Sequence, residues 1–307
     1  FIKEMRIRGS GAIGCAGAIG ACLAVHSKPQ KPEAWEGLVK PLRESRPTAL
    51  ILQYAIDQVL GASRGSSEPL DEAAQTAVAF IEEQLAFERA IGQFGAKLIP
   101  EGATILTHCH SGALAGAGYG GRAISPIRSA HEAGKSLHVI SLETRPYLQG
   151  ARITMWELEQ LGIPATLATD NMAGALMQMG KVDVCVVGSD RLAINGDLVN
   201  KIGTYLIALA AKEHNIPFYT ATTHYNVDPN STSGKDIPIE LRPAEEVLVY
   251  REQSITVGGA SAIYPGFDIT PAKLLSGIIT ETGVIIPPFK KKLFNYVNRH
   301  GSKKCSV

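Results

Sequence analysis

From Gly102 onward, short β-rich runs alternate with helical stretches, and this alternation limits the possible folds more than any other feature of the chain. Stretches of helical character separate most of the runs. Such a rhythm is typical of β-α-β units, which place parallel strands in one sheet with helices on both faces. The sequence therefore predicts an α/β fold with a doubly wound parallel sheet. The predicted strands are "TILTH" (104–108), "LHVISLE" (137–143), "ATLAT" (165–169), "VDVCVVG" (182–188), "PFYTAT" (217–222) and "EEVLVY" (245–250).

The first 98 residues have a different, mostly helical pattern. A Gly/Ala-rich helix is expected after Gly11, and two further helices are expected in "PTALILQYAIDQVLGA" and in "LDEAAQTAVAFIEEQLAFERAIGQFGAKLI". We therefore expect a mainly helical domain over residues 1–98 and a sheet domain over residues 99–307. The opening stretch "FIKEMRIR" is typical of the end of a charged helix and has no initiating methionine, so we expect the first domain to lack its true N-terminus.

Charge and cysteine content exclude several classes of protein. The net charge is +1 and aromatic residues make up 6% of the 307 residues, which favours neither nucleic acid nor a membrane surface as a partner. No uninterrupted apolar run approaches the roughly 18–20 residues of a membrane span. The five cysteines are widely spread and include no C-x-x-C pair. We therefore expect a cytoplasmic protein without a disulfide framework or a zinc ribbon.

The stretch "RGSGAIG" (8–14) contains the spacing G-x-G-x-x-G. A dinucleotide site would need a strand before these glycines and, about 20 residues later, an acidic residue at the end of a second strand. Here the corresponding region is "HSKPQKPEAW", which indicates a loop. Two interpretations remain: a helix N-terminus that binds one phosphate with the help of Arg8, or a helix whose small residues allow close packing.

Polar side chains follow several predicted strands, where ligands bind in open α/β sheets. Cys109 follows the first strand and Asp190 follows the fourth. Cys109 is either a reactive thiol with a lowered pKa at a helix N-terminus or an ordinary buried cysteine. Asp190 is either part of a catalytic site or the partner of Arg191 in an ion pair. The H-C-H fragment around Cys109 does not by itself make a metal site.

The segment "NGDLVNKIGTY" (195–205) indicates an Asn/Gly turn that leads into a helix. Its Lys201 is either a phosphate ligand or a surface lysine. No nucleophile elbow and no P-loop is present.

Several longer segments stand out along the chain: "ESRPTAL", "THCHSGALAGAGYGG", "ETRPYLQGARITMWEL", "DNMAGALM", "VVGSDRLAINGDLVNKIGTYLIALAAKEHNIPFY", "IPIELRPAEEV" and "FDITPAKLLSGIITETGV". In order from Arg6 to Val284, the chain resembles the methylthioribose-1-phosphate isomerase family. This family shares a superfamily with ribose-1,5-bisphosphate isomerases and with regulatory subunits of a translation-initiation exchange factor. The resemblance implies a mainly helical N-terminal domain, a Rossmann-like catalytic domain and a homodimer that uses neither a nucleotide cofactor nor a metal.

The same resemblance implies the site. The catalytic cysteine of the T-H-C motif corresponds to Cys109, and the catalytic aspartate of the G-[AS]-D-R motif corresponds to Asp190. The implied reaction converts a 5-substituted ribose 1-phosphate, in first place S-methyl-5-thioribose 1-phosphate of methionine salvage, into the ribulose 1-phosphate. The implied phosphate- and sugar-binding residues are Arg8, Gly9, Ser10, Arg46, Gln149, Asn200 and Lys201.

Three departures from the family pattern bear on the substrate. Ser10-Gly11 stands where the family commonly has Ala-Pro, and His110-Ser111 follows the cysteine where it commonly has Asn-Ala. The third departure is "SDRLAINGD" in place of A-D-R-I-A-A-N-G. The alternatives are therefore an isomerase of 5-deoxyribose 1-phosphate or ribose 1,5-bisphosphate, and a non-catalytic protein like the exchange-factor subunits.

Overall fold

The first part of the chain is mainly helical, as expected from its sequence. A computed structural model describes residues 1–46 and 49–301. The helices are α1 (Ser10–Ser27), α2 (Pro32–Glu44), α3 (Leu50–Ser63) and α4 (Pro69–Ala96). Their core includes Trp35, Ile56 and Phe80. Glycines let α1 approach α3 closely, since a Cβ atom at Gly14 would lie 2.8 Å from Cγ1 of Ile51.

Helix α1 bears on the expectation about apolar runs and on the interpretation of the glycine-rich stretch. By length and mean hydropathy its 18 residues could cross a membrane, although Ser10, His26 and Ser27 keep its uninterrupted apolar run shorter than that. However, Ala18, Ala21 and Val25 are buried in the helical core, which is typical of a central helix in a globular protein. The packing interpretation of the glycine-rich stretch is therefore confirmed for the body of α1.

Residues 99–301 contain thirteen strands and six α-helices. The strands are β1 (Ala103–Thr107), β2 (Leu137–Leu142), β3 (Ala165–Ala168), β4 (Val184–Val187), β5 (Arg191–Ala193), β6 (Leu198–Lys201), β7 (Phe218–Ala221), β8 (Val227–Asp228), β9 (Val249–Tyr250), β10 (Gln253–Ser254), β11 (Phe267–Thr270), β12 (Gly277–Thr280) and β13 (Gly283–Ile285). The helices are α5 (Ile124–Glu132), α6 (Met155–Gln160), α7 (Ala173–Gln178), α8 (Thr204–Glu213), α9 (Glu245–Leu248) and α10 (Phe289–Gly301).

Seven strands form the main sheet in the order β13-β12-β7-β4-β1-β2-β3. All neighbours are parallel except β12 and β13. Successive side chains of a strand face opposite sides: Ile105 packs in a core with α5, whereas Leu106 packs in a core with α7, α8 and α10. The predicted doubly wound parallel sheet is thus confirmed. The strand order reverses between β1 and β4, where such sheets bind ligands.

A smaller sheet, in the order β11-β6-β5-β8, stands next to the main one and was not predicted. Its β5 and β6 are antiparallel and are joined by a turn at Asn195–Gly196. The expected turn in "NGDLVNKIGTY" is therefore present, but it leads into strand β6 rather than into a helix. Helix α8 begins only after Gly203, whose φ of 105° suits glycine.

Three further expectations were wrong. Residues 245–250 form α9 and then the short strand β9, because Glu245 and Glu246 favour a helix N-terminus after Pro243. Residues 1–8 form turns rather than the end of a helix, and part of the proline-containing loop becomes α2. Cys305 lies outside the described residues. The domain boundary between residues 98 and 99 stays a prediction.

Candidate active site

A cavity lies at the carboxyl ends of β1 and β4 and is divided into two adjoining chambers. The walls of both chambers include Gly9, Ser10, Arg46, Asp190 and Phe267. The chamber that we call the polar chamber is also lined by Arg8, Cys109, His110, Ser111, Arg122, Gln149, Ser189, Asn200 and Lys201. The other, the apolar chamber, is also lined by Ile13, Leu50, Ile51, Val199, Ile237 and Pro238, together with Arg191, Asn226 and Glu240.

Cys109 lies two residues beyond β1 in a strained backbone conformation with a φ of 68°. Three contacts hold it. Its N–H donates to Oγ1 of Thr144 at 2.9 Å, and its carbonyl oxygen accepts a hydrogen bond from Oγ1 of Thr154 at 2.9 Å. Nε2 of Gln149 lies 3.8 Å from Sγ of Cys109. Because the surrounding loop fixes the backbone on both sides, the thiol is directed into the polar chamber.

The expected helix N-terminus at Cys109 is wrong. The nearest helical turn is the short 3-10 segment Ala113–Ala115, and α5 begins only at Ile124. Burial raises the pKa of Cys109, although the positive charges of Lys201 and Arg8 oppose this effect. The group at this position is therefore a neutral thiol rather than a thiolate at neutral pH.

His108 connects the end of β1 to the end of β6. Its Nε2–H donates to the carbonyl oxygen of Ile202 at 2.8 Å, which leaves Nδ1 as an acceptor 3.3 Å from Oγ1 of Thr144. Burial is the main effect on the pKa of His108 and lowers it, so the ring is neutral. The imidazole thereby fixes the spacing between Cys109 and Lys201.

Two buried carboxylates hold the glycine-rich loop that follows Cys109. Glu88 of α4 accepts hydrogen bonds from the N–H groups of Ala117, Tyr119 and Gly120. Glu157 of α6 accepts hydrogen bonds from those of Ala113 and Leu114 and from Nε2 of His110 at 2.9 Å. This loop is therefore a rigid wall of the cavity, as a preorganised site requires.

Asp190 follows β4 and projects into the cavity where the two chambers meet. Its side chain is exposed and lines both chambers. Within residues 1–46 and 49–301, no hydrogen bond or ion pair joins its carboxylate to another side chain. Desolvation raises the pKa of Asp190, while Lys201 and Arg46 act in the opposite direction. Because this raised pKa favours the protonated form, the carboxyl group can donate a proton as well as accept one.

The alternative that Asp190 is the ion-pair partner of Arg191 is wrong. Arg191 pairs instead with Asp228, with 2.9 Å between Nη2 and Oδ2. Asp190 is held through its backbone, since its N–H donates to the carbonyl oxygen of Val199 at 3.2 Å and its own carbonyl accepts from Nδ2 of Asn226 at 3.1 Å. The carboxylate is consequently available to a ligand.

Lys201 is a buried residue of β6, so the interpretation as a surface lysine is wrong. Its Nζ donates to the carbonyl oxygen of Gly266 at 2.9 Å and lies 4.5 Å from the centre of the Phe267 ring. The neighbouring Asn200 is also buried and donates to Oγ1 of Thr204 at 3.0 Å. Both residues line the polar chamber.

The turn at Gly9 brings the N-terminus of α1 to the cavity. Gly9 has a φ of 85°, and a Cβ atom there would lie 2.6 Å from Cα of Ala115. The first N–H groups of a helix lack intrahelical partners, so this terminus can bind an anion. The guanidinium of Arg8 stacks 4.5 Å from the ring centre of Tyr147, and its buried Nη1 has no partner among the described residues.

The dinucleotide interpretation fails on this geometry. Turns, and not a strand, precede the glycines, and α2 follows α1 where a second strand would be needed.

All the residues predicted to bind or react line this one cavity, including Arg46 and Gln149, which are distant in sequence from the others. Arg46 approaches from the end of α2, where Nη1 lies 3.0 Å from Sδ of Met5 and Nη2 lies 4.0 Å from Oε2 of Glu240. Gln149 presents a buried Oε1 that no described residue contacts as a donor. Within the described ranges, no cluster of three His, Cys, Asp or Glu side chains could hold a metal ion.

Sequence reasoning missed Arg122, which is buried and lines the polar chamber. It follows no strand, so the position of strand ends gives no reason to choose it. A signal existed nevertheless: between Cys109 and Ile127 it is the one lysine, arginine, aspartate or glutamate.

Comparisons with known proteins show the family to which this chain belongs. The family model described as "Initiation factor 2 subunit family" matches residues 6–287. A methylthioribose-1-phosphate isomerase from Geobacter metallireducens is 46% identical over 302 residues, which cover 95% of this chain and 87% of the relative. A second such isomerase, from Pelotomaculum thermopropionicum, is 44% identical over 303 residues, covering 95% and 83%.

Solved structures agree as well. The 5-methylthioribose 1-phosphate isomerase of Pyrococcus horikoshii superposes with a TM-score of 0.87 at 41% identity, covering 96% of this chain and 85% of that structure. A structure from A. fulgidus named as translation initiation factor eIF-2B, subunit delta, superposes with a TM-score of 0.86 at 38% identity, covering 96% and 89%.

Proposed function

We propose, starting from the fact that this chain belongs to the initiation factor 2 subunit family, that it is an aldose–ketose isomerase. Its substrate is S-methyl-5-thioribose 1-phosphate, its product is the corresponding ribulose 1-phosphate, and its place is methionine salvage. The observation that carries the proposal is the meeting of Asp190 and Cys109 in one cavity, with a carboxyl group free to exchange protons beside a neutral thiol. Relatives named for this activity support it.

The chemistry of the substrate determines the roles of Asp190 and Cys109. The phosphate on carbon 1 blocks a free aldehyde, so the ring has to open while the phosphate stays attached. Asp190 donates a proton to the ring oxygen as its bond to carbon 1 breaks, and the hydrogen on carbon 2 moves with its bonding electrons, as a hydride, to the electron-deficient carbon 1. The resulting carboxylate then takes the proton of the 2-hydroxyl, which leaves the ketone at carbon 2. A positioned acid–base group contributes about 10²–10⁴-fold to such a reaction.

Cys109 faces the carbons between which the hydrogen moves. Because burial raises the pKa of Cys109, it acts as a polarisable neutral group near the developing charge at carbons 1 and 2. A thiolate would add a negative charge beside the phosphate. The walls around the thiol also exclude water, which protects the reactive intermediate.

The binding residues follow the division of the cavity. The phosphate lies in the polar chamber, where Arg8, Lys201 and the N–H groups at Gly9 and Ser10 provide positive charge and donors. Arg46, Gln149 and Asn200 hold the sugar hydroxyls. Asp190 at the junction of the chambers is then next to the ring.

The apolar chamber favours the methylthio group over a second phosphate. Its walls are mainly aliphatic, including Ile51, Val199 and Ile237. Arg191, the cation in that wall outside the shared residues, already pairs with Asp228. Burying a phosphate there would cost desolvation without full compensation, whereas each buried methylene-sized group contributes about 0.8 kcal/mol. We therefore expect methylthioribose 1-phosphate to react best, 5-deoxyribose 1-phosphate next and ribose 1,5-bisphosphate least.

The experiment incubates the protein with each of the three sugar phosphates separately and measures ketose formation. We expect kcat/KM to be highest for methylthioribose 1-phosphate, lower for 5-deoxyribose 1-phosphate and lowest for ribose 1,5-bisphosphate. Preferred turnover of ribose 1,5-bisphosphate would leave the reaction class intact and overturn the assignment of the apolar chamber. If none of the three yields a ketose, the protein is not this isomerase.

One observation favours a second candidate function, a non-catalytic regulatory role. The A. fulgidus structure named for eIF-2B is 38% identical to this chain. Such a role does not require an unpartnered carboxylate and a thiol in one cavity, so we rank it second. Saturable binding to a translation initiation factor 2 without turnover of any sugar phosphate would reverse this order.

We further propose that the protein works in the cytoplasm as a homodimer, without a nucleotide cofactor or a metal, and that neither nucleic acid nor a membrane is its partner. The exposed apolar side chains of α8, Leu206 and Leu209, support association with a second copy. Light scattering after size-exclusion chromatography measures the oligomeric state, and a monomer at micromolar concentration would contradict it.

A further inference from the structure

Arg122 is a buried cation without a counter-ion. The exposed fraction of Arg122 is 4%. Nη2 donates to Oε1 of Gln84 at 2.9 Å and lies 3.4 Å from Oγ1 of Thr223, both neutral groups. Its Nε and Nη1 have no partner among the described residues. Holding an unpaired charge away from water opposes folding, so an arginine of this kind needs another reason to be there.

The buried carboxylates of the surrounding elements are already engaged. Glu88 lies one helical turn after Gln84 on α4 and accepts the three N–H groups of the glycine-rich loop. Glu281, beyond β12, is bonded to Nδ1 of His224 and to the hydroxyl of Tyr296. Within residues 1–46 and 49–301, no carboxylate oxygen lies within ion-pair distance of the Arg122 guanidinium.

The position of Arg122 relates it to the N-terminus of α1. Its backbone N–H donates to the carbonyl oxygen of Ser111 at 3.1 Å, at the beginning of the glycine-rich loop. Gly11 of α1 packs on Gly116 in the middle of that loop. Arg122 lines the polar chamber together with Gly9 and Ser10 at the beginning of α1. Arg122 and the helix N-terminus thus both adjoin the polar chamber.

We propose that Arg122 is a further substrate-binding residue, whose unpartnered N–H groups donate to the phosphate of the substrate. A phosphate dianion offers several strong acceptors, so it can accept hydrogen bonds from Arg122 in addition to those from Arg8 and Lys201. The inference rests on the proposed function in one respect, that the substrate carries a phosphate. As a consequence, the unpaired charge of Arg122 lowers the stability of the ligand-free protein, and bound phosphate compensates for it.

Calorimetric titration with inorganic phosphate and thermal unfolding in phosphate-free buffer test this inference on the full chain. Arg122→Met should weaken phosphate binding about 10- to 100-fold, the range for charge-assisted hydrogen bonds. The same variant should unfold at the wild-type temperature or above it, because the unpaired charge is gone. Arg122→Lys keeps the charge and loses the guanidinium fork, so its affinity should be intermediate and its stability close to wild type.

Arg128→Met is the matched control. Arg128 lies on α5, and its Nε donates to Oε1 of Glu132 at 2.7 Å, so it has the carboxylate partner that Arg122 lacks. Its replacement should leave phosphate affinity unchanged. Wild-type phosphate affinity in both Arg122 variants, with a lowered unfolding temperature in Arg122→Met, would make Arg122 a structural brace and overturn the inference. Absence of phosphate binding by the wild type would overturn it too.

Turnover separates this inference from the proposed function. A wild-type protein that binds phosphate through Arg122 but converts none of the three sugar phosphates rejects the isomerase and keeps the anion site. An active isomerase whose Arg122→Met variant has an unchanged KM keeps the isomerase and rejects the role of Arg122.

Discussion

The two chambers of the cavity share a wall but differ in how many buried polar atoms they leave without a partner. In the polar chamber, Arg8, Arg122, Gln149 and Ser189 all keep buried atoms without partners among the described residues. In the apolar chamber, Arg191 pairs through Nη2 with Asp228, and its Nε is the one such atom outside the shared wall among the described residues. Since buried polar groups are normally satisfied within the protein, unsatisfied ones indicate where a ligand completes the structure.

This difference explains how one cavity can bind a molecule with two dissimilar ends. Unsatisfied donors in the polar chamber supply binding energy for a charged group. Aliphatic walls in the apolar chamber supply it for an uncharged one. Asp190 lies between them, where the ring of the substrate would have to be.

The largest effect is expected at the junction. Asp190→Asn keeps the volume of the side chain but removes proton transfer, so kcat should fall by about 10²–10⁴-fold or become undetectable. Steady-state turnover of methylthioribose 1-phosphate measures the loss. Wild-type kcat in this variant would exclude Asp190 from the mechanism.

Stability and pH provide controls for this variant. The folded protein raises the pKa of Asp190 above its unfolded value, so the folded state favours the protonated form. This contribution to stability is present at low pH and is lost as pH rises through the folded pKa. Asp190→Asn should therefore unfold at pH 7 no earlier than the wild type. In the wild type, kcat/KM should fall as pH rises through this raised pKa, since the acid must be protonated.

In the polar chamber, Arg8→Ala should raise KM by about 10- to 150-fold, which corresponds to about 1.5–3 kcal/mol for a charge-assisted hydrogen bond. Gly9→Val should do at least as much harm, because a side chain there meets Ala115 and the φ of 85° disfavours it. Lys3→Ala is a suitable control, since Lys3 is exposed and does not line either chamber. An unchanged KM in Arg8→Ala would remove the phosphate from this turn.

Cys109→Ser should lower kcat by about 10- to 100-fold. This decrease in kcat should be smaller than the decrease caused by deleting a stabilising hydrogen-bond donor, because serine retains a hydroxyl at the same place. Its smaller, less polarisable oxygen fits the neutral-thiol role poorly. Cys185→Ser is the control for cysteine chemistry, since Cys185 is buried in β4 outside both chambers. A pH-dependent inactivation by thiol reagents near pH 7 would contradict the raised pKa of Cys109.

The sequence predicts five of the seven strands of the main sheet, all except β12 and β13, and none of the smaller sheet. Buried parallel strands such as β1 and β4 consist of apolar, β-branched residues and stand out locally. Strands such as β5 and β6 are short and contain Arg191, Asn200 and Lys201, whose burial depends on partners distant in sequence. Their polar composition does not predict strands, and β6 becomes part of a sheet edge-to-edge with β11 only in the folded protein. The misassigned segment 245–250 is the converse, because its apolar residues have no large sheet to join.

The strand ends and the family resemblance predict the position of the candidate site, but they do not predict its electrostatics. Cys109 and Asp190 could be chosen from the sequence because both follow strands of the parallel sheet. The pKa of Cys109 could not, since the absence of a helix N-terminus at this cysteine depends on Glu88 and Glu157 holding the loop open. Arg122 needs the tertiary structure as well, because what distinguishes it is the lack of a counter-ion.

The smallest predicted effect tests the apolar chamber. Ile237→Ala removes aliphatic surface from its wall, so kcat/KM for methylthioribose 1-phosphate should fall by about 3- to 15-fold, the value of roughly one or two buried methylene groups. For 5-deoxyribose 1-phosphate, which lacks the methylthio group, the decrease should be smaller, and kcat for Asp190-dependent proton transfer should be unchanged. Comparing both substrates in one variant separates lost contact from general damage to the fold. Equal losses for both substrates would mean that the methylthio group does not lie against Ile237, and that the two chambers do not divide the substrate between them.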